Sequence, residues 1–245
     1  TVPQLVSEIL INSPCLQTTN ISWSTGSNFG SSNGIGYFES TNPNFPIQKG
    51  VILSTGNVSD AAGPNTTIQN GGNAGWPGDS DLENTMAAAG ISFSSTNATV
   101  LEFDFVPIST NFSFDFLFAS EEYANFQCLF SDAFAYLLTN TVTGVTTNLA
   151  VVPNTNTPIS VVTVRDRAYN SGCASSNNLY FDNYYGGALA HSAATNFNGN
   201  TVKMTASAVL TPNVKYHMKL VIADRLNSGF DSAIFLSSQS FNLSQ

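Results

Sequence analysis

Five carboxylates fall in two short windows of the chain, Glu121, Glu122 and Asp132 in one and Asp224 and Asp231 in the other. The two glutamates follow a run of alternating residues that ends at Phe118, and Asp132 opens the next such run. An antiparallel hairpin would bring all three to one end of a sheet. Asp224 and Asp231 bracket the loop from Arg225 to Phe230 in the same way. With both loops at one pole, four or five carboxylates crowd together and only Arg225 stands near to neutralise them. Like charges at that density repel and raise one another's pKa unless a cation binds. Ca²⁺ suits such a set, since it takes about six to eight oxygen ligands in flexible geometry, and Asn125, Asn227 and loop carbonyls offer more oxygens. The expected metal site is Glu121, Glu122, Asp132, Asp224 and Asp231, with calcium as cofactor. The plainer alternative is solvated loop acids and strand caps.

Asp79 and Asp81 form a DxD pair behind a glycine-rich run. The twelve-residue calcium loop ending in Glu is absent, so N-capping of a following helix is the first reading and calcium ligation the second. Enzymatic motifs are missing: there is no HExxH, GxSxG, Walker loop or GxGxxG, and the two histidines, His191 and His217, stand apart. A two-carboxylate glycosidase using Glu121 or Glu122 with Asp132 remains formally open. However, adjacent glutamates in an extended segment point to opposite sides. No catalytic residue is assigned.

The stretch from Arg165 to Gly187 is rich in Tyr, Ser, Asn and Gly, the vocabulary of adaptable binding loops. Tyr169, Tyr180, Tyr184 and Tyr185 are the candidate ligand-binding residues; the alternative is a long connection whose tyrosines pack on their own domain. Six sequons, at Asn20, Asn57, Asn65, Asn97, Asn111 and Asn242, are expected from a composition rich in Asn, Ser and Thr. Three cysteines, Cys15, Cys128 and Cys173, lack metal-ligand spacing and allow one bridge with one spare thiol.

The elements that must position these residues are strands. Leu101, Phe103 and Phe105, then Phe112, Phe114, Phe116 and Phe118, alternate with polar positions at period two. Further strands are expected at Asp132 to Leu138, Leu149 to Val152, Ile159 to Val164, Val202 to Leu210, Val214 to Ala223 and Ser232 to Phe241. Before residue 90 the chain reads as turns with short β pieces at Ile35 to Phe38 and Val51 to Ser54. A helix is expected near Leu82 to Ala89. Val2, Leu5, Val6, Ile9 and Leu10 form a short amphipathic helix behind Thr1, stopped by Asn12-Ser13-Pro14. The fold class is all-β: a two-sheet antiparallel β-sandwich of jelly-roll type with a short N-terminal helix and long loops, expected as one domain over residues 1–245.

Composition narrows the function. Seven Lys and Arg against 16 Asp and Glu give a net charge of -9, and only 9% of residues are charged. A basic nucleic-acid footprint is not expected, nor is a polybasic membrane anchor. No apolar run is long enough for a membrane span, so direct membrane insertion is not expected. The start at Thr1-Val2-Pro3 leads to the expectation that any signal peptide has been removed.

Ordered motifs then accumulate: Ile35-Gly-Tyr-Phe38, Gly50-Val-Ile-Leu-Ser-Thr-Gly56, Gly78-Asp-Ser-Asp-Leu82, Leu101-Glu-Phe-Asp-Phe105, Phe118-Ala-Ser-Glu-Glu-Tyr123, Ser131-Asp-Ala-Phe134, Ile222-Ala-Asp224 and Phe230-Asp-Ser-Ala-Ile-Phe-Leu236. Together they resemble the choice-of-anchor L domain family over nearly the whole chain. The resemblance implies a module of large secreted or surface proteins of bacteria, notably cargo of type IX secretion, that works as an adhesin or filament component. Its partners would be a surface glycan or protein receptor and other domains of the same large protein. The chain departs from the family pattern at Ser131, Asn198, Asn213 and Asn227. The resulting functional expectation is a non-enzymatic, calcium-stabilised adhesion or recognition module, with a carbohydrate-binding domain or a carboxylate-dependent glycoside hydrolase as the alternative. An exported protein meets an oxidising compartment, and Cys128 and Cys173 sit in polar loops without an apolar anchor. The expected bridge is Cys128–Cys173, with Cys15 free as a small hydrophobe.

Overall fold

The computed structural model describes residues 1–11, 16, 18–26 and 33–244. Its strands, in chain order, are β1 (Thr18–Ser24), β2 (Ile35–Glu39), β3 (Lys49–Ser54), β4 (Ser95–Phe105), β5 (Asn111–Ser120), β6 (Ala133–Asn140), β7 (Thr146–Asn148), β8 (Phe181–Tyr184), β9 (Gly199–Thr201), β10 (Met204–Val209), β11 (Tyr216–Arg225), β12 (Ser232–Ser237) and β13 (Asn242–Ser244). All pair antiparallel. One sheet has the order β1-β4-β11-β6-β7, and the other runs β2-β3-β12-β5-β9-β8, with β10 and β13 also paired to β5. The two sheets face each other as a β-sandwich.

The period-two aromatics make the core. Leu101, Phe103 and Phe105 of β4 and Phe112, Phe114, Phe116 and Phe118 of β5 turn inward from opposite sheets and are buried. Phe114 stacks on Phe241 with ring centroids 4.4 Å apart and meets Tyr136 of β6 edge-on at 5.0 Å. Residues facing outward on the central strands are also apolar, and each outer face has its own cover. Ala133 and Ala135 of β6 are small enough for a helix, α2 (Ser80–Ala88), to seat Leu82 and Met86 against the first sheet. Asp79 holds that helix in place: its Oδ1 accepts from the Leu82 amide at 2.9 Å, and its Oδ2 accepts from Lys219 at 2.6 Å. The DxD aspartates therefore cap a helix and pair with Lys219, which Asp81 also contacts at 2.7 Å.

The N-terminal helix begins as a capped α-helical turn, α1 (Val2–Gln4), and continues as a π-helix over Leu5–Ile11. Val2, Val6 and Leu10 are buried at a strict spacing of four. The expected stop at Asn12 to Pro14, and Cys15, lie outside the described residues.

Several expected boundaries change. Leu149 to Val152 and Ile159 to Val164 do not form strands. Ser160 and Thr163 exchange local bonds, the Ser160 amide donating to Thr163 Oγ1 at 2.8 Å and that hydroxyl to the Pro158 carbonyl at 2.7 Å, so only isolated bridges remain. Strand β1 forms where turn chemistry was expected, and β8 forms inside the segment expected as a binding loop or long connection. β1 is an exposed edge whose polar sequence hides its pairing, and Asn20 breaks its period with φ +52°.

Phe114 occupies the middle of the aromatic core, so Phe114→Ala is expected to cost about 3–5 kcal/mol of unfolding free energy. Urea denaturation checks this, and a loss under about 1 kcal/mol would show that the ring stack does not carry the sandwich.

Candidate functional site

β5 and β6 belong to different sheets, so the expected hairpin between them is not there. The loop from Glu121 to Asp132 crosses from one sheet to the other, and the loop from Arg225 to Asp231 makes the same crossing from β11 to β12. Both crossings occur at one pole of the sandwich. The structure thus brings Glu121, Glu122, Asp132, Asp224 and Asp231 together, and it buries all five, none more than 2% exposed.

Each acid has some donors. Glu121 Oε1 accepts from the Gln69 amide at 3.0 Å, and Glu122 Oε2 accepts from the Asp132 amide at 2.8 Å. Asp132 takes the Arg225 amide at 3.1 Å on one oxygen and the Ser232 hydroxyl at 2.6 Å on the other. Asp231 Oδ2 accepts from the Gly71 amide at 2.7 Å. Adjacent glutamates do point apart: Glu121 reaches toward Gln69 and Asp231, and Glu122 toward Asp132 and Arg225.

The donors run out before the acceptors do. Glu121 Oε2, both oxygens of Asp224 and Asp231 Oδ1 are buried with no hydrogen-bond partner, as is Asn97 Oδ1. The Thr55 hydroxyl beside Asp224 eases its burial only in part. Arg225, the nearest cation, turns Nη1 to the Leu129 carbonyl at 2.9 Å.

Burial dominates the electrostatics. It pushes the Glu121 carboxyl up to about 8, with the charge of Asp231 adding to the rise. Asp132 is raised to about 7 and Asp231 to about 6, again chiefly by burial. Glu122 and Asp224 rise well above the ordinary carboxylate range from burial and then from the charge of Asp132.

Asn125 and Asn227, expected as extra oxygen donors, are exposed, and Asn227 Oδ1 accepts from Gly229 at 3.0 Å. The buried amide is Asn97, which sequence reasoning passed over. It sits inside β4 with φ +51°, where β4 and β11 slip register beside Asp224. An Asn interrupting an apolar strand is the signal that marks it, because Asn is depleted in strand interiors and tolerates the left-handed region. Glycines complete the cradle. A Cβ at Gly56 would strike Asp231 Oδ2, and one at Gly72 would strike Asn97 Oδ1. Among the described residues, no three His, Cys, Asp or Glu side chains are arranged as a ready-made metal centre.

The tyrosine segment lies next to this pole. Tyr123 follows Glu122 directly, is buried, and packs on Phe181 with centroids 4.6 Å apart. Tyr169 lies over Phe181 at 5.6 Å and Tyr184 at 5.5 Å, and its hydroxyl donates to Asn183 Oδ1 at 3.2 Å. Tyr180 and Tyr184 pack partly against the core, Tyr185 is half-buried, and Tyr169 is 37% exposed. A disulfide joins Cys128 to Cys173, and Asn170 Nδ2 donates to the Ala124 carbonyl at 2.6 Å. These bonds fasten the segment to the carboxylate loop. Asn198, one of the departures from the family pattern, donates to the Glu121 carbonyl at 2.6 Å.

Comparison with curated proteins gives no match. The family model for the choice-of-anchor L domain matches residues 1–242, essentially the whole chain. Its members are secreted or surface-associated domains. No helix among the described residues is long and apolar enough to cross a membrane. By the extent of that match, the chain belongs to the choice-of-anchor L domain family.

Proposed function

We propose that the chain is a non-enzymatic recognition module of a large surface protein, a type IX cargo or filament component, stabilised by a calcium ion at the buried carboxylates. The observation that carries this reading is the set of buried oxygens without donors at Glu121, Asp224, Asp231 and Asn97. Unpaired buried acceptors cost free energy, and a hard cation is the partner their chemistry suits. Two or three of these acids with the Asn97 amide and loop carbonyls would hold the ion, and the ion would supply the positive charge that Arg225 does not. Glu122, which accepts from the Asp132 amide, and Asp132, which accepts from Ser232, would stand behind them. Hydrolysis is the weaker reading, because Glu121, Glu122 and Asp132 are sealed from solvent and a glycosidase needs its two acids against the sugar.

Recognition is assigned to the Tyr169, Tyr180, Tyr184 and Tyr185 segment, with a surface glycan or protein as receptor. Rigid aromatic side chains lose little freedom on binding and carry a large share of interface energy. The cation and the receptor surface would be coupled, since Tyr123 and the Cys128–Cys173 bridge tie one to the other.

Stability should reveal the cation. With metal removed, the folded chain holds protons on Glu121, Asp132 and Asp231 that the unfolded chain gives up above about pH 4. The folded state then binds more protons, so stability falls as pH rises from about 4 through 8. Millimolar calcium is expected to reverse that loss, raising the melting temperature at pH 8 by about 2–4 °C for each kcal/mol gained and by less at pH 5. Asp224→Asn should abolish the response. Identical melting curves in calcium and EDTA at pH 8, after verified metal removal, would mean the acids simply hold protons.

A second expectation concerns binding. On a glycan array, Tyr169→Ala and Tyr184→Ala should each weaken retention by about tenfold or more while leaving the calcium-dependent melting shift intact. Equal retention by the variants would move the receptor surface away from the tyrosines.

A further inference from the structure

β10 ends its side of the second sheet, with no strand beyond it among the described residues. It pairs with β5 alone, in a register that runs from Met204 opposite Phe116 to Val209 opposite Asn111. The same ladder continues to Leu210, whose amide donates to the Thr110 carbonyl at 2.6 Å. Leu210 and Thr110 are therefore a hydrogen-bonded pair, and alternation makes Ala208, Ala206 and Met204 the inward-bonding residues. The N–H and C=O groups of Thr205, Ser207 and Val209 point outward from the sheet edge. Among the described residues no backbone or side-chain group bonds to them.

Natural edge strands are usually blunted by charge, proline or a bulge. β10 has none of these over its six residues, Met-Thr-Ala-Ser-Ala-Val. The nearest charge, Lys203, lies just before it and pairs with Asp115 at 3.4 Å.

Beside this edge the sandwich is open. β7 is the last strand of the facing sheet and pairs only with β6. The gap between β7 and β10 is a trough of about 460 Å³, with Leu138, Leu149, Ala208 and Leu210 among its walls and no charged residue lining it. Val145 and Val209 stand at its rim, 62% and 83% exposed. A strand added about 4.8 Å outside β10 would point every second side chain into that trough and the others to solvent.

We propose that the seam between β7 and β10 is an acceptor site for an extended segment of a partner protein, with bulky apolar residues at alternate positions, that adds as a strand to β10. The backbone of Thr205, Ser207 and Val209 supplies the hydrogen bonds, and the trough selects the side chains, which is how strand addition divides affinity from specificity. A second copy of the chain fits poorly. Edge-to-edge pairing through β10 would offer the trough Met204, Ala206 and Ala208, and two of those three side chains are too small to fill it.

The test uses a synthetic peptide with the core Thr-Val-Thr-Ile-Thr-Val between solubilising lysines. One control has the same composition with its three apolar residues contiguous. A second is the alternating peptide N-methylated along its bonding edge. The alternating peptide at millimolar concentration should slow hydrogen exchange of the Thr205, Ser207 and Val209 amides by tenfold or more, and both controls should bind at least tenfold more weakly. Ser207→Pro, which removes an outward donor and leaves the ladder to β5 intact, should do the same to the alternating peptide. Equal binding of the contiguous or N-methylated peptide overturns the proposal, and so does unchanged exchange at the three amides. Protection of those amides that grows with protein concentration alone overturns it in favour of self-pairing.

Discussion

Burying five carboxylates at one pole of a sandwich is the constraint to which the rest of this structure answers. An isolated ionised carboxylate in the interior is prohibitively costly, and each must find donors, a counter-ion or a proton. The two loops that carry the acids both cross between the sheets, so the pole is also where the sheets are joined. At positions 56 and 72 a side chain would collide with Asp231 and Asn97, and at 71 it would press on the Asn57 backbone, so glycine stands at all three. Backbone amides of Gln69, Gly71, Asp132 and Arg225 are all spent on carboxylate oxygens. The loops are thus shaped around the acids.

The neighbouring tyrosine segment inherits its position from this arrangement. Tyr123 has no freedom of its own, since it follows Glu122 and is enclosed against Phe118 and Phe181. Arg165 reaches back to the Gln127 carbonyl at 3.1 Å, and Gln127 returns a bond to the Asp166 carbonyl at 2.8 Å. A long loop that would cost much to order by itself is ordered by bonds to a second loop that is already fixed. Whatever loosens the carboxylate loop loosens the tyrosines.

Legibility of the fold followed the strength of each local pattern. Phe112 to Phe118 alternates so regularly that only a strand fits, and the structure follows the alternation as far as Phe116; at Leu117 the outer face is buried too, under its own cover. Thr18 to Ser24 carries no such pattern, because an edge strand exposed on most positions has no apolar face to announce it. Ile159 to Val164 carried a β-rich composition but is held in turns by Ser160 and Thr163, a tertiary outcome that propensity does not contain. At the site, the five acids and their convergence were legible from their places at strand ends. The route was not: a hairpin and a sheet-to-sheet crossing leave the same trace in a sequence. Asn97 and Tyr123 were hidden because their importance comes from packing across more than one element.

The register of β3 has a kinetic consequence. Its neighbours in the sheet are β2, close in sequence, and β12, where Leu53 pairs with Ile234 and the Ser54 hydroxyl donates to the Ser232 carbonyl 178 residues away. The middle of the second sheet therefore closes only when segments from both halves of the chain meet. Contacts this non-local make folding slow, on the order of milliseconds to seconds or longer. During synthesis, β3 and β5 must wait without β12 until the last part of this region has emerged. A partly made chain has no complete sheet to rest in, which favours holding it unfolded until the whole length is available.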